Sequence, residues 1–188
     1  MTNVRFETIE EYKDIETLNM YREKATDGGE DAAQVMNSIY VKGRDNALAP
    51  IQWDDSEHAG FTDGTPWHKV NPNYKEINAK QAMEDPSSVF HYYRKLIQLR
   101  KENEIIVYGT YHLLLEEHPH IYAYSRTLVE EKLLVILNFS GGRPLFEMPE
   151  EMVYSNHELM ISNYVINAEE SIQSIELMPY EARVHRLK

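Results

Sequence analysis

Asp54, Asp55, Glu57 and His58 set three carboxylates and an imidazole within five residues, a grouping that can exchange protons or hold a hard cation. Their spacing is not that of a calcium loop and no second histidine stands beside them, so no metal is expected there. Asn156-His157-Glu158 brings an imidazole next to a carboxylate again, at the start of a predicted strand, where it reads as a solvent-facing stretch. His112, His118, His120 and His185 are scattered along strands and a turn with no nucleophile nearby, so exposed polar positions are expected rather than catalytic bases. Glu130-Glu131 reads as a solvated hairpin turn. The chain has no cysteine, which excludes a disulfide, a thiolate nucleophile and a Cys-ligated zinc site. These residues single out no catalytic, substrate-binding or metal-ligating position and no cofactor.

The elements that would carry these groups change character midway. Thr8 and Glu11 have capping-box spacing, and Ile15, Leu18, Tyr21 and Ala25 recur at about one turn, which predicts a helix over residues 8–25. Ala32, Val35, Met36, Ile39 and Tyr40 line one face of a second helix ending near Gly43. Asp85-Pro86 reads as the cap and first residue of a third, with Val89, Phe90, Tyr93, Leu96 and Ile97 on one stripe as far as about Asn103. Residues 42–78 show no sustained period, and a loop of that length is functional or packed against something. From Ile105 the period becomes two. Residues 111–116, 121–128, 132–139, 145–148, 159–162, 175–178 and 182–187 read as seven short strands of a small antiparallel sandwich, with Leu133 to Leu137 its buried strand.

The 188 residues allow one ordinary domain or two small ones. Hydrophobic residues at 42% and charged residues at 27% fit a folded globular chain. The formal charge of −12 repels phosphate backbones and anionic headgroups, so no nucleic acid and no membrane is expected as a partner. The N-terminal residues have no apolar core of signal-peptide length, and the run Leu133 to Leu137 is far too short to span a bilayer. A soluble, cytoplasmic protein is expected.

Residues 43–55, Gly-Arg-Asp-Asn-Ala-Leu-Ala-Pro-Ile-Gln-Trp-Asp-Asp, are followed by Ala59-Gly60-Phe61-Thr62 and Pro66-Trp67. This order resembles a signature of the α-amylase superfamily exo-α-glucosidases, the oligo-1,6-glucosidases and trehalose-6-phosphate hydrolases in particular. The resemblance continues through Val70 to Tyr74, Phe90 to Arg100, Ile121 to Tyr124, Val135 to Phe139 and Pro179 to Ala182, nearly the whole chain. That family has a (β/α)8 barrel with an inserted subdomain and a C-terminal β-sandwich. A barrel needs roughly 200 residues or more, so the resemblance implies an α+β chain: residues 1–104 as the terminal barrel helices and loops, an incomplete domain, and residues 105–188 as the sandwich.

Retaining glycoside hydrolysis needs two carboxyl groups about 5 Å apart. In the family the nucleophile Asp, the acid/base Glu and a supporting His-Asp pair lie upstream of the matched region, so the resemblance implies a C-terminal fragment that is inert alone. Its parent would hydrolyse terminal bonds of α-linked oligosaccharides. Where the family usually has Arg-Thr before Pro-x-Gln-Trp, this chain has Leu48-Ala49. The resemblance gives that Arg the contact to the terminal sugar, and Leu48 cannot donate a hydrogen bond. Trp53, Phe61, Trp67 and Tyr74 can stack on pyranose faces, but the commoner use of large rings in a long loop is burial that pins it. A free-standing module that binds glucans or a protein is the rival reading. Without barrel strands to cover them, the faces built from Val35, Met36 and Ile39 and from Val89, Tyr93, Leu96 and Ile97 are expected to be bare and to drive self-association.

Overall fold

The computed structural model describes residues 2–188, which form two compact units divided between His91 and Tyr92. The first unit is helical and loop-rich. The α-helices are α1 (Ile15–Tyr21), α2 (Ala32–Lys42), α3 (Asp45–Leu48) and α4 (Ala79–Glu84); α5 (Val89–Glu102) spans the division.

The single helix expected over residues 8–25 is broken. Glu11 accepts hydrogen bonds from the backbone N–H groups of Glu7 at 2.7 Å and Thr8 at 3.2 Å, but this closes only one 3-10 turn, Ile9–Glu11. The N–H groups of Lys13 and Asp14 then turn to the carboxylate of Asp45, at 2.8 and 3.1 Å, and are lost to any continuing helix. Asp14 starts α1 afresh by accepting from the backbone N–H of Thr17, and α1 runs on into a π-helical turn, Arg22–Asp27, that stops at Gly28. α2 matches expectation, capped by Asp31 and ended by Gly43. Its inner residues Val35 and Ile39 are buried with Val4, Phe6 and Tyr12. This part of the expected bare surface therefore has cover within its own unit.

Asp85 does not cap the next helix. Its carboxylate bonds the N–H and hydroxyl of Ser87 at 2.9 and 2.7 Å, closing a turn, and α5 begins three residues after Pro86. α5 buries none of its side chains fully, and Val89, Phe90, Tyr93, Leu96 and Ile97 are all exposed.

The second unit opens with α6 (Glu104–Tyr108), where the change of period pointed to extended chain from Ile105 onward. Arg126 explains the helix. Its guanidinium donates to the carbonyls of Ile105, Val107 and Gly109 around the helix C-terminus, adding to the capping bond from the Gly109 N–H to the Ile105 carbonyl. Seven strands follow: β1 (Thr110–Leu114), β2 (Ile121–Leu128), β3 (Glu131–Asn138), β4 (Leu145–Glu147), β5 (His157–Ser162), β6 (Ser174–Glu176) and β7 (Ala182–Leu187). One antiparallel sheet has the order β1-β2-β3-β7-β5, and β4 pairs with β6 in a second. Phe146 and Ile175, facing each other across β4 and β6, join Ile121, Ala123, Leu134, Ile136 and Leu187 in one core. Leu133 through Ile136 are buried on both faces, as their unbroken apolar run requires.

Candidate functional site

The aromatic loop over residues 43–78 is held by amide and carboxylate side chains. Asp45, at the start of α3, is fully enclosed and takes Nε2 of His68 at 2.9 Å besides the two N–H groups already described. Burial alone would raise its carboxyl, but the bonds from His68, Lys13 and Asp14 outweigh it and hold the group below the usual carboxylate range. Asn46 accepts from the Val4 N–H and donates to the Tyr40 carbonyl. Gln52 is buried and donates from Nε2 to Asn73 Oδ1 at 2.9 Å and to the Ile77 carbonyl at 2.7 Å. Asn71 and Asn73 reach back to Thr2, and Asn71 to Asn3 as well. Most of these anchors join segments distant in sequence, and the buried ones, Asp45, Gln52 and Asn71, satisfy main-chain or amide groups inside the unit.

On this frame the rings stand open. Trp53 is 51% exposed, Trp67 58% and Phe61 39%, while Tyr74 is half-buried. The expectation that ring burial pins the loop is corrected for the first three: the polar frame pins it, and the rings are left free to stack on a flat ligand. Trp67 meets His68 edge-on at 5.1 Å, and His68 meets Phe6 in the same way at 5.0 Å.

The nearby carboxylates do not form a working pair. Asp54 Oδ1 takes both the hydroxyl and the N–H of Ser56, and these bonds lower its pKa. A carboxyl held ionised is no general acid at neutral pH. Asp55 and Glu57 are exposed, and His58 Nε2 lies 3.8 Å from Glu57 Oε1. Among the described residues no three His, Asp or Glu side chains are grouped to share a metal ion. His58, Ala59 and Gly60 all have positive φ, at 53°, 60° and 64°, which turns the chain so that the Ala59 carbonyl accepts from the Trp53 N–H. Leu48 is 40% exposed and makes no polar contact of the kind an arginine would bring.

The remaining histidines divide. His112 and His120 are exposed, as expected, and His118 is half-buried, its Nδ1 accepting from the Ile121 N–H at 2.8 Å. His185 corrects the expectation of an exposed position: it is 1% exposed, because β7 alternates and turns Arg183, His185 and Leu187 to the core side. In the Asn156-His157-Glu158 stretch Glu158 does face solvent and meets Lys188 at 3.5 Å, but His157 is half-buried, its ring 5.3 Å from that of His185.

The polar frame itself was not singled out as functional from the residues. Its only sequence trace is the density of Asp, Asn, Gln and His between residues 45 and 78, whose partners lie up to 71 positions away.

Among the described residues no helix is long and apolar enough to cross a membrane. The family "Alpha amylase, catalytic domain" matches residues 1–109. Over all 188 residues the chain is 61% identical to an oligo-1,6-glucosidase of Parageobacillus thermoglucosidasius, covering 34% of that protein. It is 43% identical over 189 aligned residues to a trehalose-6-phosphate hydrolase of Bacillus subtilis (strain 168), covering 33% of it. The crystal structure of a Bacillus licheniformis trehalose-6-phosphate hydrolase superposes with a TM-score of 0.92 at 43% identity, over all of this chain and 34% of that one. The chain thus spans about a third of the length of the relatives it matches. Its fold is a helical segment corresponding to the end of a (β/α)8 barrel followed by an antiparallel sandwich. With the loop signature, the fold and relatives along its whole length in agreement, the chain belongs to the α-amylase family.

Proposed function

We propose that this chain is the C-terminal segment of an exo-acting α-glucosidase whose catalytic carboxylates lie in the part of the enzyme that the relatives carry beyond it. The parent hydrolyses terminal α-glucosidic bonds of short α-linked oligosaccharides with retention, in the cytoplasm. Residues 1–104 serve as the last helices and loops of the barrel and residues 105–188 as the sandwich. The observation that carries this reading is identity of 61% along the entire chain to an oligo-1,6-glucosidase, combined with a polar frame that fixes the signature loop while the bonds from Ser56 hold Asp54 ionised. The segment alone is inert.

Purified chain is expected to give no turnover of aryl α-glucosides or isomaltose, and turnover is expected to appear when it is refolded with the preceding two thirds of an oligo-1,6-glucosidase. Activity of the chain alone that one Asp or Glu substitution in it abolishes would overturn the proposal. The open Trp53 and Trp67 rings favour a second reading, a noncatalytic glucan-binding module. A saturable change of tryptophan fluorescence with maltooligosaccharide, without any complementation, supports that reading instead.

A further inference from the structure

Among the described residues the outermost strand β5 is joined to the sheet only through β7, and the register between them slips at Leu159 and Ile161. Under this edge lie two imidazoles. His185 of β7 faces the core side, set opposite Leu134 of β3, and its ring meets that of His157 of β5 edge-on at 5.3 Å. Neither ring nitrogen of His185, nor Nδ1 of His157, has a hydrogen-bond partner, and all three are shut off from solvent. A neutral imidazole tolerates such a place at modest cost, whereas an imidazolium there has a buried charge and two unmatched donors.

The surrounding groups offer that charge no relief. On β7 itself the neighbour on the same face is Arg183, whose guanidinium is taken by Glu181 and Glu170, so both carboxylates are already committed. From β5 comes His157, a second cation when protonated. Beyond it stands Tyr154, ring to ring with His157 at 6.1 Å. On β5 Glu158 is turned to solvent against Lys188. β3 presents Leu134 and Ile136 opposite His185 and Arg183, with Lys132 at its start opposite Leu187. The layer facing the sheet contributes apolar Phe146, Met152, Ile172 and Ile175.

We propose that the pairing of β5 with β7 is an acid-labile latch, in which a proton taken up by His185 releases the edge strand while β1, β2, β3 and β7 stay paired. Burial first, then the charges of His157 and Arg183, pushes His185 down to about 4 from an ordinary 6.5. The sign follows: the released strand binds the proton more tightly than the closed one. The latch is fully held above about pH 6.5 and is progressively lost as the pH falls toward 4. For His185 alone the open form gains on the order of tenfold or more between pH 7.5 and pH 5.

Hydrogen exchange on the full chain, corrected for the pH dependence of intrinsic rates, tests this. At pH 5 the amides of β5 should lose at least tenfold of their protection at pH 7.5, while those of β2 and β3 keep theirs. His185→Phe should abolish the loss. If that variant does not fold, an NMR titration of the wild-type imidazoles replaces it: His185 should stay neutral at pH 5.5 while β5 remains closed. Unchanged β5 protection down to pH 4, a loss that His185→Phe does not prevent, loss shared equally by β2 and β3, or a His185 midpoint near 6.5 without strand release would each overturn the proposal.

Discussion

His68 donates from Nε2 to Oδ1 of Asp45 at 2.9 Å, and neither side chain has any accessible surface. Twenty-three residues separate them, and the pair closes the base of the signature loop. Asp45→Ala leaves His68 and the N–H groups of Lys13 and Asp14 without their acceptor, and should destabilise the first unit by about 3 kcal/mol. Urea unfolding followed by tryptophan fluorescence reads this unit alone, since both tryptophans belong to it. The double variant with His68→Ala should cost less than the sum of the single changes. A loss under 1 kcal/mol for Asp45→Ala would show that the frame does not hold the loop.

The same carboxylate sets an acid limit. Its pKa in the folded chain lies below the unfolded value, so its contribution is fully present above the unfolded value and is lost as the pH falls through the folded one. The fluorescence transition should therefore be flat from pH 7 to 5 and fall only below about pH 4. His68→Gln should move that fall to higher pH. A midpoint unmoved by the variant argues against the pair as the source.

Gly60 has a φ of 64°, and a Cβ placed there would come within 2.7 Å of Asp54 Oδ1. Gly60→Ala should cost about 1 to 2 kcal/mol from the left-handed backbone alone. Trp53 emission is expected to shift as the turn relaxes. Wild-type stability and emission in this variant would mean that the turn is not fixed by its backbone.

Val135 is 6% exposed on the central strand, opposite Tyr124 and Val184. Val135→Asp puts an unpaired charge there and should cost several kcal/mol, of order 3 or more. Circular dichroism at a strand wavelength should show early melting of the second unit. Little change in Tm would mean that Val135 does not belong to the stabilising core of this unit.

The stripe on α5 is the surface on which self-association is expected, with Val89 80% and Tyr93 63% exposed. Light scattering of the isolated chain should show mass rising with concentration, and Tyr93→Glu with Ile97→Lys should return it to monomer. A strict monomer for the unaltered chain at all concentrations removes that role from the stripe.

How far the sequence could be read depended on whether the deciding partner was local. β2 and β7 have the bounds that alternation alone predicts, because period two is a property of consecutive residues. Ile105, Ile106 and Val107 are β-branched and read as extended, yet they are helical, because Arg126 meets the helix end from 17 to 21 residues away. Asp14 and Asp85 likewise show that an acceptor caps whatever N–H it reaches first. The lost candidates follow the same rule. Nothing near Asp45 or Gln52 announces His68 or Asn73, and the inward turn of His185 depends on which face of β7 the sheet buries. The aromatic loop itself was legible as a resemblance, while its means of support was not.

The bonds from Asn71 and Asn73 to Thr2 span 69 and 71 residues, whereas the β2–β3 hairpin closes between Leu128 and Glu131. Loop closure grows costlier with the intervening length, by about 0.6 kcal/mol per doubling, and that cost falls before any contact rewards it. The docking of the N-terminal arm is therefore the long-range step of the first unit. The arm can bond Asn71 and Asn73 only once the chain up to Asn73 is in place, so these bonds form late in the folding of the unit. In the second unit the pairing can begin at that hairpin of adjacent strands, whereas β7 must cross 45 to 55 residues to reach its partners on β3.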